Sequence, residues 1–170
     1  MSCRFAILAA LLLAAPVSAA DKPVLRAGAF AQDITPKSFP ISVNGGMSDR
    51  QATGAHDPLH ARCLVLDDGK TQLAIVVVDS CMVPRELMDA AKAKASAKTG
   101  IPVDNMLISA THTHTAPSST GVFQSDADKG YVAFLTGKIA EGIEKAHAAR
   151  VPAEAGWGVA EEPSQVFNRR

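Results

Sequence analysis

Apolar positions follow several rhythms along this chain, and each rhythm predicts a different element. From Phe5 to Ala15 they are continuous, eleven residues without a polar break. A shorter run, Leu73-Ala74-Ile75-Val76-Val77-Val78, has the length of a strand and reads as one covered on both faces, spanning about 71–79. Residues 58–66 precede it across the turn Asp67-Asp68-Gly69-Lys70, so the two segments form a hairpin. Before them, Pro23, Pro36, Pro40 and Gly45-Gly46 break residues 21–57 into loops and leave one strand, about Leu25 to Ile34. After them, Pro84 opens a helix to about Lys98 that closes at Gly100 and Pro102, the usual boundary residues.

Met106-Leu107-Ile108-Ser109 is the next strand, at about 105–110. With the preceding strand and helix it makes a βαβ unit, which predicts a parallel, right-handed crossover. Val132, Leu135, Ile139 and Ile143 recur at helical spacing, with Lys138, Glu141 and Lys145 on the other side, so a second helix spans about 128–148. A last strand is expected at about Glu154 to Val159. The fold class is α/β, a mixed sheet with a βαβ unit and flanking helices, in what is expected to be an incomplete domain.

The first apolar run changes the picture of where the chain works. Arg4 before it and Val17-Ser18-Ala19-Ala20 after it give the charge, apolar stretch and small-residue site of a signal peptide over residues 1–20. Eleven residues are too few for a membrane span, which needs ~20, and no later stretch is long enough. The protein is therefore expected to be secreted or periplasmic. Removing Arg4 with the signal lowers the basic count from 17 to 16 against 17 acidic residues, over 150 residues. A near-neutral chain without a basic cluster argues against nucleic acid as a partner.

Cys63 and Cys81 remain in a compartment that permits disulfides. With Cys63 opposite Gln72 to Ala74, Cys81 would lie about seven residues further along the partner strand, ~20 Å away. That is beyond disulfide reach, so both read as buried free thiols.

Sites in open α/β sheets gather at the carboxyl ends of strands. That edge holds Asp79 and Thr111-His112-Thr113-His114, and the hairpin should bring His56-Asp57 towards it. His112 and His114 carry the strongest signal: in an extended segment they point to one side, where two imidazoles can address one ion or one substrate. A pair of loop histidines bonded to backbone is the plainer alternative. Asp79 reads equally as an acceptor that orients an imidazole or as a cap for the next turn. His60 and His147 read as structural, the latter at a helix end where a cation suits the dipole. Ser118-Ser119-Thr120 lack a nucleophile elbow and read as loop residues.

Ile108-Ser109-Ala110-Thr111-His112-Thr113-His114-Thr115-Ala116-Pro117 resembles the Ser-Gly-Thr-His-Thr-His-Ser-Gly-Pro segment of neutral/alkaline non-lysosomal ceramidases. The first strand with Asp33-Ile34-Thr35, the turn Asn44-Gly45-Gly46-Met47, Ala61-Arg62 and Asn168-Arg169 follow in the expected order. The resemblance implies an exported zinc amidohydrolase that uses water to split the N-acyl amide of a ceramide-like lipid, with contact at a membrane surface. It implies His112 as a metal ligand, His114 as the catalytic polar partner beside it, and Arg169 near the substrate. The family's other ligands, a second histidine, a glutamate and a tyrosine, would then lie beyond residue 170. Residues 21–170 would be the N-terminal part of the catalytic domain, inactive alone.

Ala116-Pro117-Ser118-Ser119 departs from the family's Gly-Pro-Gly-Gly, which leaves a related amide or ester as an alternative substrate. A metallo-β-lactamase-like site would continue as His-x-His-x-Asp-His, where this chain has Ala116-Pro117. A barrel amidohydrolase would carry His-x-His after its first strand, whereas here it follows several. A non-catalytic exported module is the remaining alternative.

Overall fold

The computed structural model describes residues 24–164, so the predicted signal segment and Arg169 lie outside the described residues. The strands are β1 (Arg26–Asp33), β2 (Ile41–Val43), β3 (Arg50–Ala52), β4 (His60–Asp67), β5 (Gln72–Val78), β6 (Met106–Ala110) and β7 (Val151–Pro152). Five of them form one sheet in the order β6-β5-β4-β1-β7, while β2 and β3 pair separately. Strand β6 runs parallel to β5, and the other neighbours are antiparallel. The mixed sheet with a βαβ unit is thus present.

Helix α1 (Arg85–Thr99) follows Pro84 and ends at Gly100, as the boundary residues predict. Helix α2 (Lys129–Ala148) starts at Asp128, whose carboxylate accepts the Tyr131 amide at 2.6 Å. That bond satisfies one of the amides a first helical turn leaves free. Both helices pack on one face of the sheet. Ala61, Cys63 and Val65 of β4 and Ala74, Val76 and Val78 of β5 share a core with Ala91 and Ala95 of α1 and Leu135, Ile139 and Ile143 of α2.

Four expectations need correction. Among the described residues strand β5 is covered on one face only: Leu73 and Val77 are exposed, beside Leu64 of β4 and Leu107 of β6. The hairpin register differs, because Asp67 pairs with Gln72 and Cys63 therefore faces Val76. The Asp68 carboxylate holds that turn by accepting the amides of Lys70 and Thr71. No strand forms over 154–159; β7 forms earlier, where Val151 and Pro152 pair with Ala27 and Arg26, and Ala153 extends the contact by donating to Leu25 O. Lastly, the segment read as loops with one strand also contains the β2–β3 hairpin. The cysteine conclusion holds, since Cys63 and Cys81 are free and buried. Burial pushes the Cys63 thiol pKa up to about 12, because the thiolate would be desolvated.

Candidate metal centre

Strands β5 and β6 end side by side, tied by a hydrogen bond from the Thr111 amide to Val78 O at 2.9 Å. The chain leaving β5 carries Ser80, Cys81 and Met82; the chain leaving β6 carries His112 and His114. The histidines meet, though not by extended geometry. His112 sits at φ 60°, a left-handed backbone that is uncommon outside glycine. This reversal brings the His112 and His114 Nε2 atoms to 3.4 Å, with the rings edge to face and their centres 5.0 Å apart.

His112 Nδ1 lies 2.7 Å from the carbonyl oxygen of Cys81. A carbonyl only accepts, so Nδ1 carries the proton and Nε2 keeps its lone pair, the arrangement common to metal-binding histidines. The Cys81 thiol lies 3.8 Å from the same Nδ1. Cys81, His112 and His114 each offer one donor atom, all within 4.8 Å of one another, with the cysteine buried and both imidazoles exposed. Cys81 is the member that sequence reasoning missed. It follows β5 at the carboxyl edge that singled out Asp79, and that placement is the signal that could have found it.

The other candidates lie elsewhere. Asp79 orients no imidazole: its carboxylate accepts from Arg62 at 2.7 Å and from the His60 amide at 3.0 Å. His56 and Asp57 pair with each other at 3.1 Å, and both side chains are more than four-fifths exposed; neither belongs to the His112–His114 donor group. Ser118 and Ser119 are buried loop residues. Ser118 Oγ donates to Asn44 Oδ1 and Ser119 Oγ to Met82 O, so the hydroxyls at the departure from Gly-Pro-Gly-Gly stitch the loop down. Immediately beyond His114, Thr115 and Pro117 form one wall of a cleft of about 360 Å³, with Phe39, Ile41, Val43 and Leu59 lining the rest.

Fold and site together define an α/β layer that presents metal-type donors at the carboxyl edge of a parallel strand pair. No protein-family model matches the chain, and no curated protein matches it. Two solved structures similar to it are ceramidases. It is similar to the neutral ceramidase from Pseudomonas aeruginosa with a TM-score of 0.70 and 24% identity, over 78% of this chain and 23% of that one. It is similar to a ceramidase complexed with C2 with a TM-score of 0.68 and 25% identity, over 76% of this chain and 22% of that one. The chain therefore spans less than a quarter of the length of these structures. The resemblance carried by Thr111-His112-Thr113-His114 extends to the fold.

Proposed function

We propose that this chain carries part of the active site of an exported, zinc-dependent amide hydrolase acting on the N-acyl amide of ceramide or a related lipid. The observation that carries the reading is the imidazole pair. His112 keeps a lone pair on Nε2 for an ion, and His114 Nε2 stands 3.4 Å from it, close enough to handle a proton beside whatever that ion holds. The Cys81 thiol beside His112 adds a second donor type that suits zinc. The ceramidase neighbours and the signal-like N-terminus support the substrate class and the export. Zinc bound here would polarise a carbonyl and lower the pKa of water towards ~7.

The chain's own residues divide the remaining work. His112 would hold the ion through Nε2, its ring fixed from behind by the Cys81 carbonyl. His114, exposed at the mouth, would hold and move a proton at Nε2 beside the reacting amide. The cleft that starts at Thr115 would take hydrocarbon against Phe39, Ile41 and Val43, which keeps water from the amide's apolar flank. Arg169 would contact the polar end of the substrate.

Replacing the two histidines separately tests these roles in the longer enzyme that the resemblance implies. His112→Ala should abolish ceramide hydrolysis and strip the metal. His114→Ala should keep most of the metal and slow turnover by ~10²-fold or more, as expected for a lost acid–base group. Full metal content and turnover in His112→Ala would refute the assignment, and equal metal loss in both variants would make His114 a ligand.

A further inference from the structure

The two imidazoles are held by different parts of the fold. His112 is fixed by the main sheet, through the Cys81 carbonyl that follows β5. His114 leans on the β2–β3 hairpin, which belongs to no strand of that sheet. Arg50, the first residue of β3, donates from Nη2 to the His114 carbonyl at 2.8 Å. In the turn that follows β2, Gly45 lies against the ring itself. A Cβ at Gly45 would stand 2.5 Å from His114 Cβ and 2.7 Å from its Nδ1, closer still to Cγ, and the backbone there has φ +103°. Atoms so placed overlap, so only glycine lets the ring occupy its position.

The hairpin is in turn docked onto the loop that follows His114. The Ser118 amide donates to Ser42 O at 2.8 Å, and Val43 bridges to Pro117. Asn44, fully buried, donates to Thr120 O at 3.1 Å and accepts from Ser125 Oγ at 2.7 Å. Each polar atom of that side chain is satisfied, which fixes the turn one residue before Gly45. The gap between the two Nε2 atoms therefore depends on how the hairpin docks against the loop that follows His114, together with the backbone reversal at His112.

We propose that the β2–β3 hairpin is the positioning element for His114, with Gly45 as the surface against its ring and Arg50 as the tether on its carbonyl. This rests on the reading of His112 and His114 as the working pair of the site. The hairpin makes the pair a two-part device: a sheet-borne imidazole and a hairpin-borne one, brought into register by docking.

The test uses the 170-residue chain with Arg50→Ala, Arg50→Lys and Gly45→Ala, and two readouts. The first is the imidazole carbon–proton NMR signals of the metal-free chain, assigned by single His→Gln changes. The second is affinity for Co²⁺, followed by its visible absorption. Arg50→Ala should leave the melting temperature nearly unchanged, move the His114 signals further than those of His112, and change Co²⁺ affinity by less than about threefold, because His112 holds the ion and the tether acts on the imidazole beside it. Arg50→Lys should return the His114 signals part of the way. Gly45→Ala should move the His114 signals further still, and if that variant fails to fold, Arg50→Ala decides alone. Unmoved His114 signals in a folded Arg50→Ala would overturn the proposal. A wild-type chain that binds no Co²⁺ would count against the metal reading only, because the imidazole signals judge the positioning without metal.

Discussion

His147 sits in the last turn of α2, where a protonated imidazole would suit the helix dipole. Its surroundings decide otherwise. Burial first, then the charge of Arg150, lower its pKa from 6.5, and Asp67 only partly opposes them. The folded chain then binds fewer protons at this site than the unfolded chain, so the site's contribution to stability is present above pH 6.5 and is lost as the pH falls below it. His147→Gln should shrink the loss of stability between about pH 7.5 and about pH 5.5, measured by urea unfolding of the metal-free chain. An equal or larger loss in the variant would show that His147 is not held neutral. The same contest between sequence rule and surroundings explains what was legible at the site. His112 and His114 could be found because residue type and strand-end position sufficed. Asp79 could not be placed, because its partner Arg62 is chosen by the β4–β5 register. Cys81 was passed over because nothing in its local sequence shows that its carbonyl and thiol both face His112.

Helix α2 shows the strength and the limit of periodicity. Its apolar positions mark the buried face, and Leu135, Ile139 and Ile143 are fully buried. What periodicity cannot show is how close that face comes to the sheet. At Gly142 an added Cβ would meet the Cys63 sulfur at 2.7 Å and Gln32 Cβ at 3.0 Å, whereas at Gly137 it would meet nothing within 4 Å. Gly137→Ala should therefore gain up to about 1 kcal/mol from helix propensity. Gly142→Ala should lose about 1–2 kcal/mol, because overpacking of ~1–3 kcal/mol outweighs that gain. Denaturant midpoints of the two variants check the pair, and a stabilised Gly142→Ala would mean that the helix can slide outwards freely. Elements with internal rhythm or strong boundary residues, namely β1, β4, β5, β6 and both helices, were legible. Strands β2, β3 and β7 were not, since each has two or three residues and exists only through its partner. The 154–159 segment misled for the converse reason: Val159 is 86% exposed and Trp157 is 94% exposed, apolar residues without a strand to pair with.

At the scale of the molecule, the described residues leave the sheet with one face under two helices and one face bare. Alternation along β4, β5 and β6 places Leu64, Leu73, Val77 and Leu107 on the bare side, from 36% to 59% exposed. Apolar residues on adjacent strands make a continuous patch, and patches of that kind mark contact surfaces or association liabilities. The unbroken apolar run in β5 makes sense in this light. Half of it packs under α1 and α2, and the other half is composed like a core without forming one among the described residues. The bare side chains contribute little to the folded chain as it stands, so polar replacements of high strand propensity should be tolerated there. Leu73→Thr with Leu107→Thr should lower self-association and dye binding to exposed apolar surface, and should move stability by less than about 1 kcal/mol. Sedimentation across a concentration series, dye fluorescence and thermal unfolding measure the three effects on one preparation. A large fall in stability would mean that these leucines are already buried in solution, and unchanged association would place the sticky surface elsewhere, with exposed Trp157 the next residue to replace.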